Sequence, residues 1–225
     1  MGLIGPNGAG KTTLVKLLMH LYDVTDGSIC YGGHDIREYG TGEYRERIGA
    51  VFQDYQIYGA TLAENVLMDE VEVGDRERIL EALKQADFEK RLFRLPDGPD
   101  TNMTREFRED GTMLSGGEAQ KVAIARMFVR TGKQFLAILD EPSSALDPLA
   151  EYQLNTNMMK NAGDAAVIFI SHRLSTTRDA DRIYMFENGR IIEQGSHQEL
   201  MRLGGKYAAM FEKQAYYYQD EIAAC

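Results

Sequence analysis

The chain has 225 residues, 35 of them acidic and 25 basic, for a net charge of −10. With 44% hydrophobic and 27% charged residues it has the balance of a soluble globular protein, long enough to bury a core. The acidic excess disfavours general nucleic-acid binding, which needs basic surface against phosphates, and no apolar run reaches the length of a membrane span.

Leu3 and Ile4 close a short apolar stretch that runs directly into Gly5-Pro6-Asn7-Gly8-Ala9-Gly10-Lys11-Thr12. This is the full G-x-x-x-x-G-K-T pattern, placed after a strand fragment and before a helix, the context that gives it meaning. Glycines let backbone N–H groups curl around phosphate oxygens, and a helix N-terminus adds free donors and a favourable dipole. The pattern predicts ATP held by Asn7, Gly8, Ala9, Gly10, Lys11, Thr12 and Thr13. Lys11 would reach the β- and γ-phosphates, and the Thr12 hydroxyl would hold Mg2+.

Residues 11–20 read as a helix with Leu14, Leu17 and Leu18 on one side, and 27–36 as a hairpin turning at Gly32-Gly33. A strand is expected over 48–53, ending at Gln53. Helix is expected from 61 to 94, where Ile79, Leu80, Leu83 and Ala86 form a stripe, and again from 117 to 130, with Val122, Ile124, Ala125 and Phe128 apolar. Between them lie the breakers Leu95-Pro96-Asp97-Gly98-Pro99 and a polar surface stretch, 101–113. The continuous apolar runs 135–139 and 166–170 suit central parallel strands buried on both faces, with a helix over 147–161 between them. A hairpin across Asn188-Gly189 joins 182–186 to 190–193, and a helix over 206–221 is anchored by Tyr207, Met210 and Phe211. The expected fold is α/β, with a mostly helical insert near 55–130. The two cysteines, Cys30 and Cys225, have no metal-ligand spacing and read as reduced, cytosolic thiols.

Asp140 ends the first buried strand, where a carboxylate can bind Mg2+, and Glu141 beside it could orient or deprotonate the attacking water. His172, past the second buried strand, either contacts the γ-phosphate or supports Glu141, or is a satisfied strand-end histidine. Gln53 either senses Mg2+ or the water, or is a polar cap. Ser115, Gly116 and Gly117 offer a hydroxyl, two glycines and a helix N-terminus: a second phosphate-binding end, or a plain helix cap. One γ-phosphate does not need two such ends, which points to a head-to-tail pair of domains with ATP between them.

These pieces together resemble the nucleotide-binding domain of an ABC transporter. The match is carried by GPNGAGKTT at 5–13, Gln53 in VFQD, LSGGE at 114–118, ILDEP at 138–142, SALD at 144–147 and SHR at 171–173, in the family order and across nearly the whole chain. The resemblance implies a P-loop NTPase core with a mostly parallel sheet and an inserted helical subdomain. It also implies a Mg-dependent ATPase whose activity is coupled to transport. It makes Asp140 the metal-binding carboxylate, Glu141 the catalytic glutamate, Gln53 the Q-loop residue, Asp147 the D-loop residue and His172 the switch histidine. Ser115 and Gly117 would contact ATP held by the opposite domain. The implied partners are a second nucleotide-binding domain, the same or related, and transmembrane domains fused upstream or on a separate chain; the implied location is the cytoplasmic face of a membrane. SHRLST at 171–176 and LPDGPDT at 95–101 are exporter-like. Two signature-region positions depart from the exporter pattern: Glu118 replaces the usual glutamine and Lys121 the usual arginine. Family members also carry a longer stretch before the phosphate loop, with antiparallel strands and an aromatic that stacks on adenine. Here Met1–Ile4 precede it, so a start short of most of those strands is expected. The alternatives are a soluble, non-transport ATPase of the same family and a nucleotide-binding module with impaired turnover.

Overall fold

In chain order the elements are β1 (Gly2–Ile4), α1 (Lys11–Leu18), β2 (Cys30–Tyr31), β3 (His34–Asp35), α2 (Thr41–Glu46), β4 (Ile48–Val51), α3 (Leu62–Leu67), α4 (Arg76–Gln85), α5 (Glu89–Leu92), α6 (Gly116–Phe128), β5 (Leu136–Asp140), β6 (Ala166–Ile170), β7 (Ile183–Glu187), β8 (Arg190–Gly195), α7 (His197–Leu203) and α8 (Lys206–Ala223). The computed structural model describes residues 1–130, 134–140, 156–160, 165–171 and 177–223. The fold class is the expected one, α/β with mostly parallel longer strands. By contacts the chain divides into two compact units, Met1–Arg45 with Val167–Cys225, and Glu46–Ala166.

In the first unit β1 is buried along its whole length and lies parallel to both β6 and β7, pairing Leu3 with Ile170 on one side and Tyr184 on the other. With every residue of β1 buried, both faces of the strand are covered, and a strand covered on both faces reads as an apolar run, as Leu3 and Ile4 do. β8 returns antiparallel to β7 through Asn188-Gly189, both at positive φ, the backbone that a tight two-residue hairpin demands. Ile4, Ile183, Met185, Leu200 and Tyr207 form one core cluster, with Met210 and Phe211 packed against it. The predicted C-terminal anchors are thus in place. Glu193 of β8 accepts from the Lys206 and Tyr207 N–H groups and so caps the start of α8. The Tyr207 hydroxyl sits 2.8 Å from His197 Nδ1, and burial pushes it up to about 12.

α1 differs from expectation in its buried face. It ends at Leu18 rather than His20, and it buries Lys11 and Val15, one turn apart, while Leu14, Leu17 and Leu18 are half-buried. The helix is oriented by the loop that feeds it rather than by its leucines. The hairpin of β2 and β3 turns at Gly32-Gly33 as expected, and Tyr44 from α2 donates its hydroxyl to the Leu18 carbonyl.

In the second unit β4 and β5 are parallel, with Ile48 opposite Leu136 and Val51 opposite Leu139. β5 is buried at every residue. The expected helix over 61–94 is three helices. α3 ends at Met68 and α4 is followed by Asp87, both in the left-handed conformation that stops a helix, and Val73–Asp75 is a short 3-10 turn between them. Ile79, Ala82, Leu83 and Ala86 form the buried stripe, whereas Leu80 is exposed. α6 buries most of its surface, including Val122, Ile124, Ala125 and Phe128. Arg126, on the same helix, donates to the Asn65 and Gln56 carbonyls and so ties α3 and the segment after β4 to α6. Of the helix expected over 147–161, residues 156–160 are helical and the rest lies outside the described residues.

The tightest backbone approach in the first unit is at Gly5. A β-carbon built there would lie 2.2 Å from the Phe186 carbonyl oxygen, and φ is +142°. Gly5→Ala should destabilise the protein by about 3 kcal/mol, the range of backbone strain plus overpacking. Thermal unfolding checks this, and an unchanged midpoint would contradict the packing described.

Candidate functional site

In the first unit the candidate site is the connection from β1 to α1. Gly10 is the N-cap of α1, at φ 103°, and α1 has no acidic residue in its first turn. The positive end of its dipole is therefore not answered by a carboxylate of that turn. Lys11 is only 6% exposed. Its Nζ donates to the Gly5 carbonyl at 2.8 Å and the Pro6 carbonyl at 3.0 Å, which fixes an ammonium inside its own loop. The Ala9 N–H closes the loop onto the Pro6 carbonyl, and the Gly189 N–H donates to the Ala9 carbonyl at 3.0 Å, tying the loop to the β7–β8 turn.

The outer side of this loop is open. Asn7, Gly8, Thr12 and Thr13 are exposed, and a β-carbon at Gly8 would meet nothing within 4 Å. A glycine-lined mouth, a fixed ammonium and a helix N-terminus suit a polyphosphate. The exposed Thr12 hydroxyl in the first helical turn suits the hard, oxygen-seeking Mg2+ that accompanies it.

In the second unit, taken by itself, the candidate residues lie at the carboxyl ends of β4 and β5. The parallel ladder ends with Val51 opposite Leu139, so Gln53 and Asp140 both follow that last pair at the same end. Ligands gather at such ends in α/β folds. Asp140 is buried and Gln53 is exposed. Among the described residues no group of three or more His, Cys, Asp or Glu could hold a metal ion. Glu141, Asp147 and His172 lie outside the described residues.

Ser115 is the N-cap of α6, and Ser115, Gly116 and Gly117 lead the helix. Ser115 Oγ accepts from the Glu118 N–H at 3.3 Å, while the Glu118 carboxylate accepts from the Ser115 N–H at 2.9 Å. This reciprocal box leaves the Gly116 and Gly117 N–H groups outside it. The Tyr55 hydroxyl, two residues beyond Gln53, donates to the Gly116 carbonyl at 2.9 Å. Burial raises the pKa of Tyr55, which keeps it a donor. Sequence reasoning missed Tyr55, for which no local pattern exists. It also missed the box, whose S-x-x-E signal at 115–118 was legible.

A family model described as ABC transporter matches residues 1–144. The chain is 39% identical over 211 residues to a putative multidrug export ATP-binding/permease protein, YgaD, of Bacillus subtilis, covering 94% of this chain and 35% of that protein. It is 38% identical over 214 residues to the mycobactin import ATP-binding/permease protein IrtA of Mycolicibacterium thermoresistibile, covering 95% of this chain and 23% of that one. The structure of a bacterial Atm1-family ABC exporter with ATP bound is similar with a TM-score of 0.85 and 37% identity, over 95% of this chain and 36% of that chain. The chain thus spans about a third or less of the length of these relatives.

Lys11→Ala removes the one side-chain cation that the first-unit loop holds in place. Affinity for a nucleoside triphosphate should fall at least about tenfold, a loss of roughly 1.4 kcal/mol. Equilibrium titration checks this, and unchanged affinity would remove Lys11 from the site.

Proposed function

This chain belongs to the ABC transporter family, and on that basis we propose that it is the ATP-hydrolysing domain of a membrane exporter. The observation that carries the reading is the anchored Lys11 ammonium in the glycine cradle between β1 and α1. Asn7, Gly8, Ala9, Gly10, Lys11, Thr12 and Thr13 bind the triphosphate through backbone N–H groups and the lysine. Thr12, Gln53 and Asp140 supply Mg2+ ligands, and the ion, when bound, neutralises charge on the phosphates. Glu141 orients and deprotonates the attacking water, and His172 acts with it at the γ-phosphate. Ser115, Gly116 and Gly117 contact ATP held by a second domain of the same kind, placed head-to-tail.

The helical subdomain near 55–130 docks on the transmembrane domains, which are fused to this domain or carried on another chain. The domain works at the cytoplasmic face of the membrane. Among the described residues no helix is long and apolar enough to cross a membrane. The net charge of −10 argues against a nucleic-acid substrate. ATP closes the domain pair and hydrolysis reopens it, and the motion moves the membrane helices. One relative is named for import and another for export.

Glu141→Gln should keep ATP binding while lowering hydrolysis by about 100-fold or more, the range for loss of a general base. Phosphate release and nucleotide titration on one preparation measure both. Undiminished hydrolysis in the variant would sink the assignment of Glu141.

A further inference from the structure

The signature end of α6 is braced by a carboxylate, which sets a charge problem. Glu118 Oε2 accepts the Ser115 N–H, so a full negative charge sits in the first turn, beside Gly116 and Gly117. Like charge there repels an anion approaching the same turn. Arg91 of α5 answers it: its Nε lies 3.0 Å from Glu118 Oε1, and the two side chains are 28% and 30% exposed. The contact is an ion pair without linear hydrogen-bond geometry at Nε, so charge rather than a directional bond defines it.

A second pair joins the same two segments with the polarity reversed. Lys121 Nζ contacts Asp87 Oδ2 at 2.6 Å and donates to the Asp87 carbonyl at 3.0 Å. Acid then base on one segment, Asp87 and Arg91, faces base and acid on the other, Lys121 and Glu118. A slip of either segment would set like charges together, so the two pairs also hold the register of α6. Both positions that depart from the exporter pattern, Glu118 and Lys121, are partners in these pairs.

We propose that Arg91 is a positioning residue for the signature end: it balances the Glu118 charge so that the Gly116 and Gly117 N–H groups still receive an anionic phosphate. This rests on the reading that Ser115–Gly117 contacts ATP held by a second domain. Arg91 itself does not touch the phosphate.

The test compares ATP hydrolysis over a range of ATP concentrations for the parent protein, Arg91→Leu, Arg91→Lys and the double variant Arg91→Leu/Glu118→Gln, with thermal unfolding to confirm each is folded. Arg91→Leu should raise KM by about three- to tenfold with a much smaller change in kcat, as loss of a charge at the rim of an interface does. Arg91→Lys should retain most of the parent KM. In the double variant KM should return toward the parent value, because glutamine at 118 can still accept the Ser115 N–H without the charge. An unchanged KM in Arg91→Leu, or a double variant as impaired as Arg91→Leu, overturns the proposal; the latter would mean that Arg91 acts by packing. Ser115→Arg separates the two levels. If it abolishes hydrolysis while Arg91→Leu is silent, this proposal alone fails. If it leaves hydrolysis intact, the shared-site reading fails and this inference with it.

Discussion

Gly5 and the Phe186 carbonyl oxygen approach so closely that no side chain fits between them. That contact wedges the start of the phosphate loop against β7, and the Gly189 N–H to Ala9 carbonyl bond holds its far end against the β7–β8 turn. With both ends held by backbone, the loop has a fixed curvature, and its Gly5 and Pro6 carbonyls face the Lys11 ammonium. Lys11 is then buried because its ammonium finds the Gly5 and Pro6 carbonyls; without them burial of that charge would be costly. The orientation of α1 follows, with Lys11 and Val15 inward and the leucines half-buried.

The second unit solves a similar problem with side chains. α6 is buried at most positions from Gln120 onward, while its N-terminal turn is exposed to half-buried and is held by side-chain ties. Tyr55, Arg91 and Lys121 reach that end from, or towards, the segments after β4 and around α5. Each tie ends on the turn that carries Ser115, Gly116 and Gly117 or on the one that follows. If this turn receives a phosphate as proposed, such bracing helps, because donors already in position need no ordering when an anion arrives.

The family places this chemistry in a larger protein, about a third or less of which corresponds to this chain. On the proposed reading, the loop, the helix ends and the strand ends serve the binding and splitting of ATP.

The sequence by itself determined the phosphate loop, the buried strands, the Asn188-Gly189 hairpin and the family. Each of these is written locally: in a spaced glycine pattern, in an apolar run, or in a pair of residues that tolerate positive φ. Helix boundaries between 61 and 94 were less legible, because Met68 and Asp87 stop helices from a left-handed conformation that methionine does not advertise and aspartate favours only modestly. α7 was legible but missed, since Ser196 and Glu199 form a capping box. Only the tertiary structure decided what Glu118, Arg91, Lys121, Asp87 and Tyr55 do. Their partners lie 27 to 61 residues away in the chain, and a pairing over that distance is set by how helices pack, which no short sequence pattern records.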